Sequence, residues 1–359
     1  MSFITEFEFY LFLLKLIFSF LLGGLIIASG LQFILKKDRQ LVQDPILLLI
    51  AGIGLSPYLI GILLNYLLWI VPERTDSFYF ISILLCFLVL FLLFRKEISP
   101  LISGVLEIIS KINRRLILLA SLGLVVVGLG WSFYITKKAI TEHDTLEYAV
   151  QGKIFYETKT VTYDDHNFDE GSGFYYVGLH GYSFPLIASW ERIGNSILKS
   201  DSDYLFRSIN SLYGILILLS IVFFAYRKSG IEVAIALLIA LPFAYGFFET
   251  IFKYHIDFYR IFFLNYSILG MILLIKRPST PLLIALGIFL GAQANAHSLG
   301  ALLYLIQLFV IFLFLPLNLF SRLKYSIGLL SISLFFGSLH YLLDVVWGTG
   351  WIFQEIKFY

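Results

Sequence analysis

The chain has 359 residues, 59% hydrophobic, 18% aromatic and only 14% charged, with a mean hydropathy of +0.88 and a formal net charge of +2. An average soluble domain carries about 25% charged residues, and one core of this size could not hide so much apolar surface. Composition therefore excludes an ordinary cytosolic enzyme, a disordered chain and a nucleic-acid binder, and it predicts an all-α polytopic integral membrane protein.

Runs of about 20 apolar residues predict ten spans. They cover 9–35, 46–71, 78–94, 116–136, 205–226, 231–248, 259–275, 281–296, 299–318 and 325–345. The first run is too long for a cleavable leader, and Glu6 and Glu8 stand where a leader would carry Lys or Arg. Lys15 is expected to snorkel at a membrane boundary, as is Asp344 in the last span. The single Cys86 lies inside the third run and can form no internal disulfide. Residues 97–113 are weakly amphipathic and are expected to lie along the cytoplasmic surface. The break at 296–298 between the eighth and ninth runs is nearly absent, so these two are expected to form a tight helical hairpin.

Orientation follows from basic residues in short loops. Lys36, Lys37, Arg39, Arg95, Lys96, Lys111, Arg114, Arg115, Arg227, Lys228, Lys276, Arg277, Arg322 and Lys324 fall in one alternating set, against Arg74 and Lys253 in the other. The first set is thereby cytoplasmic. Both termini and the long segment 137–204 face outward, which is the periplasmic face of the plasma (inner) membrane if the source is bacterial.

The long outer loop is the one place for a sizeable water-exposed site, and loops of that length are usually functional. It opens with Thr141, Glu142, His143, Asp144, Thr145, Leu146, Glu147 and Tyr148. The apolar spacing that follows predicts an interfacial helix with Asp144 at its N-terminus, where the helix dipole favours an anion. Asp144 and Glu147 share one face of such a helix. Alone, this also reads as an N-cap with one solvated acid. The stretch Tyr163 to Gly171 carries Asp164, Asp165, His166, Asp169 and Glu170. It lacks EF-hand or zinc spacing and reads as a polar loop. His180 is either a turn residue or a site residue. Pro185 opens a second interfacial helix over 186–199, with Trp190 as its anchor.

A second outer segment runs from Glu249 through His255 and Asp257 to Arg260. Ionisable groups at the membrane boundary are costly unless hydrated, paired or functional. Asp257 and Arg260, three apart, can simply pair. Gln293 and Asn295 are expected to hydrogen-bond across helices, while His297 is placed to contact an anionic head group.

These features resemble the GT-C superfamily of polytopic glycosyltransferases, which includes protein O-mannosyltransferases, aminoarabinose transferases and oligosaccharyltransferase catalytic subunits. The resemblance rests on the motif His143-Asp144-Thr145-Leu146-Glu147-Tyr148 just outside the fourth span, and on Phe184-Pro185-Leu186 later in the loop. It extends to the acid-bearing segment Glu249 to Arg260 and to Gly287 and Gly291 ahead of a polar boundary. It divides the chain into three N-terminal spans and an amphipathic segment (1–114), a seven-span core (115–345) and an outer tail (346–359). Two departures stand out: Asp144 is followed by Thr145 where many members have a second acid, and three spans precede the core.

The resemblance implies inverting transfer of a sugar from a polyprenyl-phosphate donor to a lipid, glycan or protein acceptor. Asp144 would be the general base. His255, Asp257, Arg260 and His297 are candidates for the donor phosphate, and His143, Glu147, His180 and Glu249 are further candidates. It also admits a divalent ion, Mg or Mn, with ligands not assigned. The competing classes are a lipid or solute transporter or flippase, which needs ionisable groups near the midplane, and a non-catalytic assembly subunit.

Cysteine substituted at Ser172 should label from outside the cell and cysteine at Ser229 should not. The reverse pattern would overturn the orientation.

Overall fold

The computed structural model describes residues 6–36, 44–112, 114–119, 121–123, 143–161, 182–244, 246–247 and 256–339. Among these the secondary structure is helical throughout. In chain order the helices are α1 (Glu6–Leu16), a π-helical segment (Ile17–Leu22), α2 (Gly23–Leu35), α3 (Pro45–Ile70), α4 (Asp76–Lys111), α5 (His143–Thr158) and α6 (Ser183–Leu198). There follow α7 (Tyr204–Ser229), α8 (Ile231–Phe243), α9 (Asp257–Lys276), α10 (Thr280–Ala296), α11 (Ser298–Phe314), α12 (Leu319–Ser333) and a π-helical turn (Leu334–Ser338).

Among the described residues, six helices are long and apolar enough to cross a membrane: Tyr10–Leu35, Pro45–Ile70, Asp76–Lys111, Tyr204–Ser229, Asp257–Lys276 and Leu319–Gly337. Shorter apolar helices occupy three more of the expected spans. Most of the span expected over 116–136 lies outside the described residues, as does Asp344. Large apolar side chains on α4, α11 and α12 stand exposed, among them Leu85, Leu93, Leu305, Phe309 and Ile327. Water does not tolerate such contiguous surfaces, whereas lipid does. The chain is a multi-pass membrane protein.

Short polar signals start the helices. Asp44 Oδ1 accepts the N–H of Ile46 at 3.1 Å, with Pro45 at the first helical position. Thr75 Oγ1 accepts from Phe78, Ser279 Oγ from Leu282 and Asn318 Oδ1 from Ser321. Each cap satisfies an N–H that the first turn leaves without a helical partner. His297 alone separates α10 from α11, and its Nδ1 accepts the Leu299 N–H at 3.0 Å, so the expected hairpin forms.

Three expectations are corrected. Residues 97–111 are not a separate surface segment. They continue α4 past its span into a 36-residue helix, about 54 Å at 1.5 Å per residue. Leu101 on this extension is fully buried, and Gly104 lies against Pro45. The last span begins earlier than expected, at Leu319, so that Arg322 and Lys324 lie inside α12. Arg322 donates to the carbonyls of Leu317 and Leu313 at 2.8 and 2.7 Å, satisfying the C-terminal end of α11. The third correction concerns α6. It is built into the bundle rather than laid on its surface, and Trp190 is only 4% exposed. Its ring stacks on Phe80 at 5.2 Å, and its Nε1 donates to Ser19 Oγ at 3.2 Å.

An aromatic cluster fills the centre of the bundle. Tyr213 of α7 meets Tyr259 and Phe262 of α9 with ring centroids 4.9 and 5.2 Å apart, and Tyr58 of α3 meets Phe263 at 5.2 Å. The Tyr213 hydroxyl donates to the Gly54 carbonyl. Close approach of backbones lets α5 and α6 dock. A Cβ on Gly152 would lie 2.4 Å from the Pro185 carbonyl oxygen, and Ser189 Oγ donates to the Gly152 carbonyl at 2.7 Å.

A helical Gly→Ala change normally stabilises by about 0.5–1 kcal/mol. Gly123, where a Cβ would meet nothing within 4 Å among the described residues, should follow that rule. Gly152→Ala should instead cost about 1–3 kcal/mol, since backbone must move. Thermal unfolding in detergent reads the sign of each, and a stabilised Gly152→Ala chain would contradict this packing.

Candidate functional site at the α6 end of the bundle

The basic residues Lys36, Arg227, Lys276 and Arg322 mark one end of the bundle. The N-terminus of α6 marks the other. Tyr182 and Ser183 open α6 against three helices at once. The Ser183 N–H donates to Asn295 Oδ1 at 2.9 Å, and the Tyr259 hydroxyl donates to Ser183 Oγ at 2.8 Å. Gly61 of α3 has no side chain because a Cβ there would meet the Ser183 carbonyl oxygen at 2.7 Å. Asn295 Nδ2 donates in turn to the Gly337 carbonyl at 2.7 Å. Deeper in the bundle, Gln293 bonds Ser267 and donates to the Gly300 carbonyl at 3.1 Å. Both amides therefore hold helices together, as their sequence setting predicted.

α5 packs on α6 through Tyr148 against Phe184 and Phe155 against Tyr182, each at 5.3 Å. Phe184 also meets Tyr259 at 5.3 Å. A run of three rings, Tyr148–Phe184–Tyr259, thus links α5 to α9. At the other end of α5, Lys159 pairs with Asp76, and the Lys159 carbonyl accepts the Glu73 N–H at 3.1 Å. These contacts join the segment between α3 and α4 to the end of α5.

The candidate residues divide into three groups. His143 and Asp144 open α5 in its first turn, and Asp144 stands one turn before Tyr148 at the same helical register. Glu147 is half-buried on the same helix. Asp257 and Arg260 head α9 on either side of Tyr259 of the ring run and form an ion pair at 2.5 Å. Phe258, between them, donates its N–H to Asn210 Oδ1 of α7 at 2.9 Å, which caps α9. His297 caps α11, as above. His180, Glu249 and His255 lie outside the described residues. Among the described residues no three of His, Cys, Asp and Glu gather in a way that could hold a metal ion. α6 therefore brings α5, α9 and the α10–α11 junction to one end of the bundle.

A buried ion pair next to this end overturns the boundary role expected for Lys15. Lys15 is 7% exposed and Glu191 2% exposed, with 4.0 Å between Nζ and Oε1. Lys15 also donates to Asn195 and, at 3.3 Å, to Ser202. The two Glu191 oxygens accept the N–H groups of Leu205 and Phe206 at 2.8 Å each. Glu191 is the N-terminal cap of α7, supplied from another helix. Sequence reasoning passed over it, although its spacing from Phe184, Ile187 and Ala188 sets it on an apolar stripe.

No family model, curated protein or solved structure matches the chain.

Burial pushes the Glu191 carboxyl up to about 7, against the pull of Lys15 and the two N–H groups. The folded chain then holds this proton more tightly than the unfolded chain. Glu191 makes stability fall as pH rises from about 4.5 to about 7, with no further slope above that. Glu191→Gln should remove this slope and cost about 1–3 kcal/mol, because a single side-chain oxygen then serves the Leu205 and Phe206 N–H groups and Lys15. Adding Lys15→Met should recover part of the loss. Strict additivity in the double-mutant cycle would mean that the pair is not coupled.

Proposed function

We propose that the chain is a GT-C-type membrane glycosyltransferase acting at the outer face of the membrane. One observation carries the reading: an apolar groove runs from Ile34 and Phe94, near the basic end, to Leu63 and to Phe336 beside the polar α6 hub. The groove has a volume of about 550 Å³ and is walled by α2, α3, α4 and α10, with Leu63 and Phe336 among its lining residues. Phe336 is the neighbour of Gly337, whose carbonyl accepts from Asn295, the residue that holds the head of α6. A prenyl chain in such a groove would carry its phosphate toward the end where α5 and α9 begin. A transporter needs ionisable groups at the midplane that change partners. The buried pair here, Lys15 and Glu191, is committed to capping a helix.

On this reading Asp144 takes the proton of the acceptor hydroxyl or amine as that atom attacks the anomeric carbon. The bond from that carbon to the phosphate oxygen breaks, and polyprenyl phosphate leaves with its charge. Arg260, one turn into α9, and the His297 ring at the α10–α11 junction supply positive charge or N–H donors for that leaving group. The Mg or Mn ion that the resemblance admits would need a ligand set that the described residues do not assemble.

General-base catalysis typically contributes about 10²–10⁴-fold. Asp144→Asn keeps the size and capping ability of the side chain, so it should lower sugar transfer from a polyprenyl-phosphate donor by about that factor. Insertion and donor binding should be retained, and Glu147→Gln should do less. Transfer at the parental rate by Asp144→Asn would defeat the assignment. A parent chain with no transferase activity would return the reading to a transporter or assembly subunit.

A further inference from the structure

The basic end of the bundle contains a cavity of about 470 Å³. It lies between the end of α2, the start of α3, the extension of α4 and the end of α7. Its size suits a small polar ligand. Glu107 forms part of the wall with Gln32, and its carboxylate is well exposed. A carboxylate that holds one cation keeps acceptor capacity for an N–H group brought by a ligand.

Three cations stand around the same cavity, each beside a carboxylate. Lys36 Nζ lies 2.8 Å from Glu97, Lys111 Nζ 2.5 Å from Glu107, and Arg227 Nε 3.1 Å from Asp44. All three basic side chains are more than half exposed. An ammonium has three donors and a guanidinium five, so one carboxylate contact leaves each able to bond a phosphate oxygen as well. The paired acids leave the site close to neutral. A purely anionic ligand would find these charges already offset. A zwitterion matches both signs: its phosphate faces Lys36, Lys111 and Arg227, and its ammonium faces Glu107, which is itself on the lining.

The cavity sits where α2, α3 and α7 reach their basic ends and α4 continues beyond its span past Arg95 and Lys96. That is the level at which lipid head groups lie against membrane helices. We infer that this cavity binds the phosphoethanolamine head group of a phospholipid in the adjoining leaflet, tying the α4 extension to the three neighbouring helix ends. The inference rests on no part of the transferase reading.

The test uses the full chain, purified in mild detergent and stripped of lipid. Thermal unfolding is followed during titration with phosphatidylethanolamine, phosphatidylcholine, phosphatidylglycerol or soluble glycerophosphoethanolamine, and native mass spectrometry counts retained lipids. Phosphatidylethanolamine should bind about tenfold or more tightly than phosphatidylcholine, whose methyl groups remove every N–H from the same charge. Glu107→Gln should bind the two alike, and Lys36→Gln should weaken both. Equal binding of the two lipids by the parent overturns the proposal without any variant. Tighter binding of phosphatidylglycerol overturns it too, as does a Glu107→Gln chain that keeps the preference. Soluble glycerophosphoethanolamine stabilising as well as the lipid would overturn the lipid as the source.

Discussion

A helix buried across other helices needs partners for its polar ends, and in α6 those partners come from distant parts of the chain. Its first N–H goes to Asn295, 112 residues away, and its Ser183 hydroxyl accepts from Tyr259. At its middle, Glu191 takes up the two N–H groups that start α7. In an apolar interior each of these groups would be costly if left alone. The positions of α3, α7, α9 and α10 relative to one another therefore follow from satisfying α6.

The pair Lys15–Glu191 shows how such a constraint differs from a surface salt bridge. At the surface an ion pair contributes little, because water solvates both partners anyway. Here both groups have lost water, and the carboxylate is held as much by backbone N–H groups as by the ammonium. The arrangement ties the first helix to α6 and α6 to α7. It also leaves the carboxyl easy to protonate, since burial outweighs its partners.

The two ends of the bundle are built differently. At the α6 end, aromatic rings and neutral hydrogen bonds fix the helices, and the ionisable candidates sit on helix starts around that fixed frame. Rigid support for the heads of α5 and α9 is what positional chemistry requires. At the basic end, two ion pairs between elements and one within α4 surround a cavity, and polar groups there remain open to an outside partner.

Much of the architecture was legible in the sequence. Span positions depend on local apolar length, caps depend on residues two or three positions apart, and the hairpin at His297 depends on a one-residue gap. Pairing of Asp257 with Arg260 and the structural use of Gln293 and Asn295 were legible for the same reason, because helical spacing or small neighbouring residues announced them. The burial of α6, the role of Glu191 and the true surroundings of Lys15 were not. Trp190 and Glu191 look amphipathic in a one-dimensional pattern, and that pattern cannot distinguish a lipid interface from the inside of a bundle. Only the tertiary structure decides it. The deciding contacts, Trp190 to Ser19, Glu191 to Leu205 and Ser183 to Asn295, join residues whose partners no local periodicity specifies.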